Sequence, residues 1–127
     1  MGTPTNYFVD PAAGSDMMGD GSIGSPYQTT QWTLDNISRD SSNGDQINIK
    51  TGTDDTLLSD LSLSSYGSPG SSAPLIFRGY TSAADDGGQG QLNGNGSSVF
   101  DASSVQRYIT FRDMKLYNSG SDTVLGI

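Results

Sequence analysis

The sequence predicts an all-β chain, with an N-terminal cap (strand plus short helix) followed by the first coils of a parallel β-helix. Three observations lead there. All fourteen acidic residues are Asp, with no Glu; Glu favours helices, whereas Asp and Asn favour turns and caps. Short alternating stretches such as Gln46-Ile47-Asn48-Ile49-Lys50 recur between small polar turns. Ile76-Phe77-Arg78 looks like Thr110-Phe111-Arg112, as though one enlarged coil separated them. Stacked coils bury one another's apolar edges, and about three are needed for stability.

Asn6-Tyr7-Phe8-Val9 reads as a first strand, stopped by Asp10-Pro11. A glycine-rich loop, Gly14 to Ser22, precedes the one predicted helix, about residues 29–38. Thr29 is its expected N-cap, and Thr30, Thr33, Leu34 and Ile37 fall on one face. Leu34 and Ile37 should lie near Ile47 and Ile49, the inward residues of the next strand. Leu61 and Leu63 alternate. Pro74-Leu75-Ile76-Phe77-Arg78-Gly79-Tyr80 is the strongest strand, and residues 81–97 read as a low-complexity loop. Val99-Phe100, Tyr108 to Phe111, Met114 to Tyr117 and Thr123 to Leu125 complete the strands. Parallel pairing of Leu75–Arg78 with Tyr108–Arg112 is expected. The chain divides into 1–45 (strand, loop and capping helix) and 46–127 (first coils), as one domain completed by a partner or by further chain.

Composition narrows the partners. Hydrophobic residues make up 32% of 127, enough for a modest core. A net charge of −8 without basic clusters argues against nucleic acid and anionic membranes. No cysteine is available for a disulfide, thiolate ligand or nucleophile. No apolar run approaches the roughly 20 residues of a membrane span. Met1 to Asn6 lacks the pattern of a secretory signal, so release by lysis or removal of a leader is expected.

An ordered series of segments carries a family resemblance. Tyr7-Phe8-Val9-Asp10-Pro11, Gly14-Ser15-Asp16, Gly19-Asp20-Gly21-Ser22 and Ser25-Pro26-Tyr27-Gln28-Thr29 come first. Gly44-Asp45-Gln46-Ile47-Asn48-Ile49 and Ala73 to Tyr80 follow. Over about residues 7–118 the series resembles the opening of pectate-lyase-like right-handed parallel β-helix proteins. The resemblance implies that fold, and a function among polysaccharide lyases, surface proteins and phage tail or head-fibre proteins. Their catalytic and calcium-binding residues lie in later coils, and no residue here matches them.

Chemistry must come from Asp, Lys, Arg or Tyr, since His, Cys and Glu are absent. Lys50, Arg78, Arg112 and Lys115 sit in or beside strands; Arg78 and Arg112 could stack as an outward contact for a glycan or partner, or pair with Asp113 or Asp101. Asp101 with Asp113 is the conceivable carboxylate pair of a glycosidase. Calcium is the one metal to consider, with Asp16 and Asp20 as candidate ligands of a weak site. Gly87 to Gly94 reads as a flexible loop. Asn118 follows a strand, where it can hydrogen-bond neighbouring turns. Trp32 lies off the apolar helix face, facing a partner, a sugar or the loop at 15–24. The expected function is a structural module of a phage virion or extracellular protein. It would contact glycans and assemble, near Thr123–Ile127, with other copies or other virion proteins. The alternatives are a fragment of a polysaccharide lyase or glycanase, and a non-catalytic carbohydrate-binding module.

Overall fold

The computed structural model describes residues 2–101, 108–118 and 125–126. β1 (Thr5–Val9) pairs with β2 (Asp45–Lys50), β2 with β4 (Leu75–Tyr80), and β4 with β7 (Ile109–Arg112). A second sheet joins β3 (Asp55–Thr56), β5 (Gly90–Asn93) and β8 (Met114–Tyr117). A third pairs β6 (Phe100–Asp101) with β9 (Leu125–Gly126). Every one of these pairs is parallel.

Parallel pairing aligns equivalent side chains into rows. Tyr7, Ile47, Phe77 and Phe111 share one row, and Asp45, Leu75 and Ile109 another. Ile47, Ile49, Leu75 and Phe77 are fully buried. Leu92 lies beside Leu116 in the second sheet and joins the same core. Gly79 stands where the sheets approach closely: a Cβ there would lie 2.1 Å from the Gly90 nitrogen and 2.3 Å from the Asp113 carbonyl oxygen.

The helix α1 (Thr30–Asn36) is capped by Thr29, whose hydroxyl accepts the Trp32 amide at 3.3 Å. Thr30, Thr33 and Leu34 are buried, and Leu34 belongs to the core formed with Ile47 and Ile49. Ile37 packs against that core while half-buried. β1's outer edge is covered by residues 21–27. Phe8 donates to the Gly21 carbonyl at 2.8 Å, Tyr27 to Phe8 at 3.0 Å, and Asp10 to Tyr27 at 2.8 Å. Among the described residues no helix is long and apolar enough to cross a membrane.

The fold class read from the sequence needs correction. The chain is a small α/β domain of parallel sheets, not an all-β cap with β-helix coils. The helix buries three side chains, Thr30, Thr33 and Leu34, and Leu34 joins the core. Among the described residues the sheets hold four, three and two strands, so successive passes of the chain are unequal, and β3, β6 and β9 are only two residues long. The expected parallel pairing of Leu75–Arg78 with the segment after Tyr108 is present, with Phe77 opposite Phe111. Leu61 and Leu63 are buried without forming a strand; Leu61 makes an isolated parallel bridge to Phe100. The stretch 81–97, expected as loop, contains β5. Thr123, Val124 and Ile127 lie outside the described residues.

Candidate functional site

Strand alternation sends Gln46, Asn48, Arg78 and Arg112 to the face of the first sheet opposite the core. Here a polar network crosses the strands. Asn48, fully buried, donates to Asn6 Oδ1 at 2.9 Å and to the Tyr7 carbonyl at 3.0 Å. Its own Oδ1 accepts from Gln46 Nε2 at 2.8 Å. Gln46 Nε2 also reaches Asp85 Oδ1 at 2.7 Å. Arg78 then bridges two carboxylates, Asp85 through Nη1 at 3.1 Å and Asp113 through Nε at 3.0 Å. Asp85 and Asp113 both hold left-handed backbone conformations, φ 63° and 53°. Asp tolerates this better than most residues, and the turns it permits aim both carboxylates at Arg78.

Arg112 is adjacent to Arg78 in register and exposed. Trp32, half-buried, belongs to a helix packed on the apolar side of the same sheet. The structure therefore brings the two arginines together and leaves Trp32 across the sheet from them. Asp113 pairs with Arg78, while the side chain of Asp101 lies outside the described residues.

The two candidate calcium ligands are each engaged with the backbone. Asp16 accepts the amides of Gln28 at 2.8 Å and Thr29 at 2.9 Å, and the Thr29 hydroxyl at 2.8 Å. It thereby pins the glycine-rich loop to the start of α1. Asp20 accepts the Ser22 amide at 2.9 Å, and its hydrogen bonds with Ser22 hold its carboxyl below the usual range. Among the described residues no group of three or more acidic side chains converges on one point.

A second polar cluster escaped sequence reasoning. Asp54 accepts Gln91 Nε2 at 2.8 Å and the Tyr117 hydroxyl. The Lys115 ammonium lies 4.5 Å from the centre of the Tyr117 ring. The hydrogen bond to Asp54 pushes the Tyr117 phenol up, so this Tyr resists serving as a proton-abstracting base. Lys50 pairs with Asp10 at 3.5 Å.

Comparison of the chain with protein-family models, curated proteins and solved structures found no match. Nothing in these comparisons ties the chain to the pectate-lyase-like proteins that its opening resembles.

Two hollows lie among the described residues. One of about 210 Å³ lies between Thr29, Gln31 and the segment Asp55 to Ser59; this is below the roughly 300–1,000 Å³ of small-molecule sites. Burial raises the Asp55 carboxyl above its ordinary value, although its Oδ2 accepts the Thr30 amide at 2.7 Å. The other, about 330 Å³, is walled by Asp10, Lys50, Tyr80, Thr81 and Ser82. Tyr80 is 2% exposed, so it offers a sugar no ring face. Burial pushes its phenol up to about 12. None of Asp16, Asp20, Trp32, Arg78 and Arg112 lines either hollow.

Proposed function

We propose that this chain is a structural module of a virion or extracellular protein, built to hold shape and to meet other copies or other proteins of the same particle. The observation that carries this reading is where the carboxylates go. Asp10, Asp16, Asp20, Asp40, Asp45, Asp55 and Asp86 all accept backbone amides. These are half of the fourteen acidic residues. A carboxylate bonded to amides fixes a loop, and at Asp20, Asp40 and Asp86 hydrogen bonds hold the carboxyl below its ordinary range, away from acid–base work near neutrality. Arg78 is held between two Asp side chains, which leaves Arg112, of the two, as the exposed guanidinium for a glycan or partner contact.

The test is an assay for unsaturated or reducing ends released from pectate, alginate and neutral glycans, with and without calcium, alongside sedimentation of the same protein. The expected result is no turnover, together with self-association or capture by a particle protein. Turnover lost in Lys115→Ala or Arg112→Ala would favour the polysaccharide-lyase reading instead.

A further inference from the structure

Three Asn-Gly pairs occur in the chain, at 43–44, 93–94 and 95–96. Such a pair undergoes a spontaneous reaction. The backbone nitrogen of the glycine, as its conjugate base, attacks the Asn side-chain carbonyl carbon. A Cγ–N bond forms, the Cγ–Nδ2 bond breaks and ammonia leaves. Water then opens the cyclic imide to Asp or to its β-linked isomer. Glycine permits this because no side chain blocks the approach. An acceptor on the glycine N–H opposes it, since the nitrogen must lose that proton and the peptide plane must turn.

The three pairs are guarded differently. The Gly44 amide donates to the Asp40 carbonyl at 2.9 Å, and the Gly94 amide to the Tyr117 carbonyl at 2.9 Å. Both glycines are buried, and both acceptors are backbone groups. Asn95 and Gly96 are exposed at the tip of a tight turn, with φ 50° and 99°. Ser97 closes that turn by donating to the Gly94 carbonyl at 3.0 Å. The Gly96 amide has a side-chain acceptor, Asn118 Oδ1, at 2.7 Å. Asn118 also donates through Nδ2 to the Ser97 carbonyl, so one amide group grips both sides of the turn.

We infer that Asn95 is a deamidation site of this protein and that Asn118 is the positioning residue that restrains it. With Asn118 in place, Gly96 N–H is held and the imide forms slowly. When that contact opens, Asn95 is the first of the three pairs to react. The product adds a negative charge to an already acidic chain. The β-linked isomer also lengthens the backbone at the tip and cannot keep the turn.

The experiment ages the full chain, Asn118→Ala and Asn118→Asp in mildly alkaline buffer. Deamidation at residues 43, 93 and 95 is then followed separately by peptide mass spectrometry. Asn118→Ala should react about five- to tenfold faster at Asn95, the effect of losing one ordinary hydrogen bond, with Asn43 and Asn93 unchanged. Asn118→Asp keeps an acceptor for Gly96 N–H but loses the Nδ2 donor to the Ser97 carbonyl, so its Asn95 rate should fall between those of the parent and Asn118→Ala. The two reference sites separate a released turn from a loosened domain. Equal Asn95 rates in parent and Asn118→Ala, or a parallel rise at all three sites, would overturn the inference.

Discussion

Phe77 stacks on Phe111, ring centroids 5.0 Å apart and planes 14° from parallel, because the two occupy matched positions of β4 and β7. Phe77 is fully buried and Phe111 half-buried. Phe77→Ala should therefore lower stability by about 3–5 kcal/mol, and Phe111→Ala by less. A double-mutant cycle in denaturant should find a coupling of about 0.5–1.5 kcal/mol between the rings. Additive losses would show that stacking contributes nothing beyond burial.

Leu34 anchors α1. Its truncation to Ala should cost about 2–5 kcal/mol, and loss of the Thr29 cap by Thr29→Ala about 1 kcal/mol. Thermal unfolding followed by circular dichroism would measure both. A silent Leu34→Ala would mean that the helix does not share the core's stability.

Arg78→Met should leave Asp85, Asp113 and Gln46 facing one another without a cation. The expected loss is about 1.5–3 kcal/mol, the range of hydrogen bonds to charged groups. Asp85 is 56% exposed, so its share should stay under about 1 kcal/mol. Arg78→Lys should recover only part, because one ammonium cannot reproduce the two-sided guanidinium contact. Chemical denaturation at low and moderate salt would resolve the two shares.

Asp86 and Asp55 should give opposite pH dependences. Asp86 accepts the amides of Ser82 at 2.7 Å, Thr81 at 2.9 Å, Ala83 at 3.0 Å and Gly88 at 3.1 Å. The Ser82 contact leads in holding its carboxyl far below the ordinary 3.8. Its contribution is complete above that ordinary value and is lost as pH falls through the lowered folded value. The amides of Thr81, Ser82, Ala83 and Gly88 should thus keep their protection from exchange below pH 3.8 in the parent, and lose it at every pH in Asp86→Ala. Asp55, raised by burial, contributes in the reverse sense: folding is favoured at low pH and weakened as pH rises through the folded value. Asp55→Asn should stabilise the protein at neutral pH, provided the new amide oxygen still accepts Thr30 N–H. Urea midpoints across pH would show it.

The sequence made some elements legible because their own residues carry the signal. β2 alternates polar and apolar residues, β4 opens on the apolar run Leu75-Ile76-Phe77, and Thr29 is an evident cap. β5 has no such signal, with Leu92 its one apolar residue. It is a strand because β3 and β8 flank it and because Gly90 lets the backbone enter. A Cβ at Gly90 would lie 2.7 Å from the Ile49 carbonyl oxygen and 2.8 Å from the Met114 sulfur. The polar face was half legible. Asp113 follows β7 closely enough to be named as a partner for the arginines. Asp85 was hidden in a loop whose return to Gln46 spans 39 residues. Asp16 and Asp20 looked like metal ligands because acidic side chains near glycines suit either use. Only the positions of Gln28, Thr29 and Ser22 reveal the amides they serve.

The segment that lies along β1 gives the first sheet a direction. Residues 21–27 bond to that margin and seal it, whereas β7 has β4 as its one sheet partner among the described residues. Unpaired strand edges recruit other strands. Among the described residues the first sheet thus has one border covered by its own chain, at β1, and one at β7 where no further strand lies, so its two sides are unlike within a single copy.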